Sequence, residues 1–170
     1  TTPIIDGTIS PGEWSDASFI TFPGSGITIT CYVKHNGSNT LYVAQNIPSL
    51  ANGDKAFLWF DKQHNGGVFP QTDDYYLQKY FNGNATFENV GTGIDWGNII
   101  TPSGWTGAYT GTWWTNIPGR MEFAISFNKL GIVAGTSKTI GFMVGFGEWP
   151  PPESSYWHWP AGNNNYMIPN

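Results

Sequence analysis

The sequence predicts an all-β domain: an antiparallel β-sandwich, jelly-roll-like or DOMON-like, of roughly ten strands. Three observations carry that expectation. First, 22 Gly and 12 Pro stand against only seven Lys and Arg, a balance that disfavours helices and favours short strands joined by turns. Second, short runs of alternating or continuous apolar character recur roughly every ten residues, each closed by a turn signal, as in sandwiches and barrels. Third, the length of 170 residues suffices for one well-buried core and is short for two. A single domain over 1–170 is therefore expected.

The elements follow in chain order. Asp6-Gly7 and Pro11-Gly12 each suit a tight turn with glycine at positive φ, which brings Trp14 back over the sheet edge as a structural plug. Glu13 beside it reads as a turn acceptor or plain surface. Residues 27–34 (ITITCYVK) alternate, placing Ile27, Ile29, Cys31 and Val33 on one inward side. Cys31 is the only cysteine, so it forms no intrachain disulfide and reads as core. His35-Asn36-Gly37-Ser38-Asn39 supplies a hairpin turn, after which 40–47 (TLYVAQNI) returns. Residues 56–61 (AFLWFD) are almost continuously apolar, the mark of a central strand buried on both faces. Strands over 74–81 and 85–90 flank the turn Asn82-Gly83-Asn84. Further strands are expected over 107–115, 121–127 and 139–147, with a short helical turn at 128–132 opened by Asn128. From Trp149 to Asn170 the chain reads as loop, rich in aromatics.

Several function classes are excluded by composition. A net charge of −5 with scattered basic residues offers no stripe for a phosphate backbone, so no nucleic acid is expected. No run approaches 18 apolar residues, so no membrane insertion is expected. The low charge and abundance of Asn, Thr and Ser suit an extracellular or cell-surface protein, and the start at Thr1 without Met suits a secreted protein or a module of a larger one. No nucleophile elbow, phosphate loop or dinucleotide fingerprint is present. Glycoside hydrolysis needs two carboxylates flanking the bond, and none of the 12 acidic residues forms such a pair by spacing. Glu122 and Glu148 read as lone hydrogen-bond acceptors. The expectation is a protein that is not an enzyme.

Nine tryptophans in 170 residues exceed what one core of this size conceals. An exposed indole, with its apolar face and N–H edge, suits a ligand that also has an apolar face and a polar rim, and a pyranose sugar answers that description. The segment 148–160 (EWPPPESSYWHWP) is the leading candidate, because its prolines hold the backbone extended and pre-ordered. The candidate carbohydrate-binding residues are Trp113, Trp114, Glu148, Trp149, Tyr156, Trp157 and Trp159. Trp157 and Trp159 should share one face with His158 opposite, and one of Trp113 and Trp114 should point outward as a second wall. Gln78 and Asn163 to Asn165 are candidate amide partners. The alternative is that these rings lid the ends of the sandwich.

Asp61, Asn65, Asp73 and Asp74 form the candidate metal site, with calcium in a structural role. Calcium takes six to eight oxygens, and the glycine-rich loop 61–67 lets carbonyls turn inward. Because neighbours on a strand point to opposite faces, only one of Asp73 and Asp74 should ligate unless the strand starts later. The alternative is an Asx-turn at Asp61 with solvated Asp73 and Asp74.

The opening Ile5-Asp6-Gly7 followed by Glu13-Trp14 resembles the entry segment of family-9 carbohydrate-binding modules and their DOMON-like relatives. Later segments agree in order: the hairpin over 33–43, the apolar strand ending at Asp61, Asp73-Asp74-Tyr75-Tyr76, and the strand-turn over 122–131. The resemblance implies a sandwich of about ten strands in two antiparallel sheets and, among its members, sugar binders, haem-binding electron carriers and surface-layer modules. It leaves three readings: a non-catalytic carbohydrate binder, a structural or adhesive module of a larger extracellular protein, and a haem carrier using an axial Met such as Met167.

Overall fold

The computed structural model describes residues 1–24, 26–50, 55–81, 84–112, 115–147 and 156–161. Ten strands make up two five-stranded antiparallel sheets. They are β1 (Ser18–Pro23), β2 (Thr28–His35), β3 (Thr40–Ile47), β4 (Lys55–Asp61), β5 (Asp74–Tyr80), β6 (Thr86–Val90), β7 (Trp105–Thr110), β8 (Gly119–Ser126), β9 (Gly141–Gly147) and β10 (Tyr156–Trp159). The first sheet has the order β1-β2-β3-β8-β7 and the second β10-β9-β4-β5-β6. No helix is present among the described residues, and no helix is long and apolar enough to cross a membrane.

The alternation of each strand divides its side chains between the core and an outer face. Ile29, Cys31, Val43, Met121, Phe123 and Ile125 from the first sheet meet Leu58, Phe60, Leu77, Val144 and Phe146 from the second. Cys31 is wholly buried, and that burial pushes its thiol far above the usual range, which leaves it inert as a nucleophile. The central strand β4 is buried at every position. Its even-numbered residues Ala56, Leu58 and Phe60 enter the core. Phe57 and Trp59 point the other way into a separate aromatic layer with Met143.

The N-terminal segment closes the outer face of the first sheet. Trp14 packs with Tyr42 and Ala44 over that sheet, beside Ile5, Ile9 and Tyr32. Its indole N–H donates to Glu122 Oε1 at 3.0 Å, and the Asp6 and Gly7 N–H groups donate to Glu122 Oε2 at 3.1 and 2.8 Å. Gly7 has φ +84° and lies where a Cβ would sit 2.3 Å from the Tyr109 backbone carbon, so no other residue fits. Burial raises the Glu122 pKa even though these donors favour the ionised form. The structural plug expected at Trp14 is thus formed, with Glu122 as its anchor.

Two strands lie outside the elements expected from sequence, β1 and β10. The strand expected at 107–115 begins earlier, at Trp105, and ends at Thr110. The helical turn expected at 128–132 is a hydrogen-bonded turn, in which the Gly131 N–H donates to the Asn128 carbonyl at 3.1 Å and the Ile132 N–H to that of Phe127 at 2.8 Å.

Candidate functional site

The outer face of the second sheet carries an aromatic layer whose geometry follows from strand register. Phe57 and Trp59 on β4 lie opposite Gln78 and Tyr76 on β5, and Tyr76 lies opposite Asn89 on β6. On the other side of β4, Phe57 faces Gly145 and Lys55 faces Gly147. Those two glycines make the layer possible. A Cβ on Gly145 would sit 2.0 Å from the Phe57 ring and one on Gly147 would sit 2.3 Å from Tyr156, so both rings lie down over a strand that offers no side chain there.

Trp59 stacks on Tyr76 with centroids 4.8 Å apart and planes at 12°, and Phe57 meets Trp59 edge-on at 4.2 Å. Tyr156 reaches Phe57 at 5.5 Å, and Trp96 reaches Tyr76 at 5.6 Å. Phe57 and Trp59 form a buried floor, while Tyr76, Trp96 and Tyr156 are half-buried and keep exposed surface. The Trp59 indole N–H is buried and has no hydrogen-bond partner, an unusual state for a tryptophan inside a protein.

Polar groups accompany the rings. Lys55 Nζ donates to Gln78 Oε1 at 3.4 Å, Gln78 Nε2 to Asn89 Oδ1 at 3.1 Å, and Asn89 Nδ2 to the Gly97 carbonyl at 2.8 Å. The Lys55 ammonium also sits 4.9 Å from the Tyr156 ring centroid. Trp96 is held in place by a short closed loop. The Thr92 N–H donates to the Asp95 carbonyl at 2.9 Å and the Gly97 N–H to that of Val90 at 2.8 Å, with the Thr92 hydroxyl donating to the Asp95 carbonyl as well.

The aromatic residues expected to bind carbohydrate are distributed differently from the expectation. Trp113, Trp114, Glu148 and Trp149 lie outside the described residues, as do Asn163 to Asn165. Tyr156, Trp157 and Trp159 fall on β10 and alternate as anticipated, but the faces are reversed. Trp157 points inward, stacks on Phe146 at 5.9 Å and 24° and packs against the core. The geometry therefore corrects the expectation that Trp157 belongs to an outward platform: pairing of β10 with β9 sets Trp157 opposite Phe146, an inward position. Trp159 is 37% exposed at the end of the same strand, and Tyr156 is the member on the outer face. Of the suggested amide partners, Gln78 is on that face. Tyr76, Trp96, Lys55 and Asn89 lie outside the sugar-binding set expected from sequence. Phe57 and Trp59 did carry a signal, since a strand apolar on both faces needs cover on both.

The candidate metal site is assembled more closely than its spacing implied. Carboxylate oxygens of Asp61, Asp73 and Asp74 lie within 4.8 Å of one another, and all three residues are buried. Asp61 and Asp74 are directly paired across β4 and β5. Strand β5 starts at Asp74, so Asp73 precedes the pleat and both neighbours reach the cluster. Asp61 accepts the N–H groups of Gln63 at 3.1 Å and Gly66 at 2.9 Å. Asp73 accepts that of Gln63 at 3.0 Å, and Asp74 Oδ2 that of Gln71 at 2.7 Å. The Asx-turn at Asp61 is present, but Asp73 and Asp74 are not solvated. Asp74 Oδ1 is buried without a partner. Burial, and then the charges of Asp61 and Asp73, push the Asp74 pKa up to about 7 against the Gln71 hydrogen bond that lowers it. Asn65 lies exposed in the connecting loop.

No family model and no curated protein matches the chain. Among solved structures, a family-9 carbohydrate-binding module from Caldicellulosiruptor kristjanssonii in complex with cellotriose aligns with a TM-score of 0.59 at 14% identity, covering 87% of this chain and 73% of that one. A structure of a family-9 module from the same organism in complex with glucose aligns with a TM-score of 0.60 at 15% identity, covering 86% and 74%. At that identity the likeness is one of fold. The two-sheet sandwich of this chain resembles that of family-9 carbohydrate-binding modules.

Proposed function

We propose that the chain is a non-catalytic carbohydrate-binding module of a larger extracellular protein, that its sugar site is the outer face of the second sheet, and that one structural calcium is held by Asp61, Asp73 and Asp74. The observation that carries the sugar reading is the pairing, on one face, of half-buried Tyr76, Trp96 and Tyr156 with the adjoining polar groups Lys55, Gln78 and Asn89. A sugar ring offers an apolar face for the aromatics and hydroxyls for the half-buried Asn89 amide, with buried Lys55 and Gln78 behind it. The shared fold with modules solved in complex with cellotriose and glucose supports the same reading. Retention on an affinity gel containing a polysaccharide, set against a gel without it, tests the proposal across a panel of glucans, xylans and mannans. Passage through every gel without retardation would oppose it.

The engagement of the two glutamates that are buried among the described residues supports a non-catalytic role. Glu122 takes three N–H groups of the N-terminal segment. Glu88 accepts the Trp105 indole N–H at 2.7 Å and the Ser103 N–H at 3.1 Å and pairs with Lys129. Both carboxylates work in holding the fold, and neither faces the aromatic layer. Release of reducing sugar by the purified chain would contradict this part of the proposal.

The donor set suits calcium, which prefers hard oxygen ligands. Three ionised carboxylates with oxygens within 4.8 Å of one another repel pairwise by about 3 kcal/mol or more at an effective dielectric constant near 20. A divalent cation turns that repulsion into attraction and occupies the orphaned Asp74 Oδ1. The carboxylates join the end of β4 to the start of β5, so an ion there fixes the strand pair that carries Phe57, Trp59 and Tyr76.

A further inference from the structure

The hairpin tip between β2 and β3 holds an asparagine whose side chain is set up to react with its own backbone. His35, Asn36 and Gly37 are all exposed. Asn36 Oδ1 accepts the N–H groups of Ser38 at 3.1 Å, Asn39 at 3.0 Å and Thr40 at 3.1 Å. Three donors on one amide oxygen draw electrons from the side-chain carbon Cγ and stand ready for negative charge on that oxygen, as in an oxyanion hole. Asn36 Nδ2 donates to Asn39 Oδ1 at 2.9 Å, which sets the direction the amide faces.

The Gly37 N–H donates to His35 Nδ1 at 3.0 Å. That bond requires Nδ1 to be the unprotonated ring nitrogen. A base therefore lies on the one proton that the Gly37 nitrogen must lose before it acts as a nucleophile. Gly37 has φ +78°, and a Cβ there would meet nothing within 4 Å, so no side chain hinders the nitrogen and water reaches the turn. The Gly37 nitrogen and Asn36 Cγ are already joined through the Asn36 backbone, so a bond between them closes a five-membered ring and needs no encounter.

A second Asn-Gly pair supplies the contrast. Asn65 is also exposed and also follows a histidine, His64. There the Gly66 N–H donates to the carboxylate of buried Asp61 at 2.9 Å. Withdrawal of its proton would set two negative charges side by side, which Coulomb repulsion opposes. Asn52-Gly53 and Asn82-Gly83 lie outside the described residues.

We propose that Asn36 is a self-modification site, at which the chain converts its own amide to an acid without an enzyme. The Gly37 nitrogen gives its proton to His35 and attacks Asn36 Cγ, and the oxyanion that forms rests on the N–H groups of Ser38, Asn39 and Thr40. The Cγ–Nδ2 bond then breaks, and the amide nitrogen takes the proton from His35 and leaves as ammonia. Water opens the resulting succinimide at either carbonyl, giving aspartate or isoaspartate at position 36, and no oxidant or reductant takes part. Aspartate keeps the three N–H contacts and adds one negative charge. Isoaspartate lengthens the backbone inside a turn that is tied by the Asn36 N–H to the Thr40 carbonyl at 3.2 Å.

The test is incubation of the purified, folded chain in warm neutral buffer over several weeks, with peptide mapping by mass spectrometry to locate each conversion of amide to acid. The expected result is conversion at Asn36 about tenfold or more faster than at Asn65, slowed by about tenfold or more in both His35→Ala and His35→Gln. Melting curves check that each variant is folded. Glutamine offers an acceptor for the Gly37 N–H but no base, so it separates removal of the proton from positioning of the turn. Conversion at Asn36 no faster than at Asn65, or a rate in His35→Gln within twofold of the parent, would overturn the proposal.

Discussion

The two outer faces of the sandwich are built from the same materials and end in opposite states. On the first sheet a tryptophan, two tyrosines and two isoleucines lie over the strands, and the indole N–H of Trp14 is spent on Glu122 beneath it. On the second sheet two tryptophans, two tyrosines and a phenylalanine lie over the strands, and the N–H of Trp59 has no partner. The first face carries its polar group under the aromatic cover, where the N-terminal segment satisfies it completely. The second carries Lys55, Gln78 and Asn89 alongside its rings. An indole over a sheet is therefore not in itself a sign of binding. What separates the two faces is cover: Trp14 is buried, whereas Tyr76, Trp96 and Tyr156 are only half-buried.

The sharpest way to break this comparison is to remove one ring from each face. Trp14→Ala should cost about 3–5 kcal/mol of stability, the usual penalty for deleting a buried Trp, because it also strips Glu122 of a donor. Thermal or urea unfolding measures the loss, and the fraction that remains folded should bind sugar as before. If Trp14→Ala melts normally, the closed face is not closed by that residue.

Calcium tests the scaffold under the open face. A ligand at 100 times its Kd stabilises the folded state by about 2.7 kcal/mol, so chelation should lower Tm by a corresponding amount and Asp74→Ala should abolish the response. The effect of pH sharpens this. Without metal, Asp74 has a folded pKa of about 7 against an ordinary value of 3.8, so between these values the folded state keeps a proton that the unfolded state has released. Stability then falls as pH rises from about 4 to about 7 and levels off above that through this group. Excess calcium, which requires the ionised form, should remove the fall. A pH profile identical with and without calcium would remove the ion from the account.

A smaller effect is expected from Tyr156→Ala. Its loss should weaken sugar binding by about 2 kcal/mol, as for an interface hot spot, with a stability change well below that of Trp14→Ala. Equal losses of stability from the two would mean that the faces do not differ in kind.

Much of this division was legible in the sequence, residue by residue. The continuous apolar run of β4 announced a strand covered on both sides, and Asp6-Gly7 with Trp14 announced a plug. The acidic pair after the glycine-rich loop announced a cluster with Asp61. What alternation does not supply is its sign. Trp157 and Tyr156 must point to opposite sides, but only pairing with β9 decides which one faces the core. The open space that receives Tyr156 comes from Gly147 on that neighbouring strand, a relation invisible along the chain. Strand β1 carries little signal in the sequence because only Phe22 within it is fully buried, which leaves a weak apolar pattern. Trp96 and Asn89 meet Tyr76 through the β5–β6 register and a closed loop, and no local motif encodes that meeting.

The most direct measurement is the response of the indole N–H resonances to a bound sugar, recorded on 15N-labelled chain titrated with the oligosaccharide that the affinity gels select. Trp14 and Trp105 have their N–H groups fixed on Glu122 and Glu88, whereas Trp59 and Trp96 belong to the open face. The Trp59 and Trp96 signals should move in a saturable way while those of Trp14 and Trp105 stay in place. Movement of Trp14 or Trp105, with Trp59 and Trp96 unchanged at saturation, would contradict it.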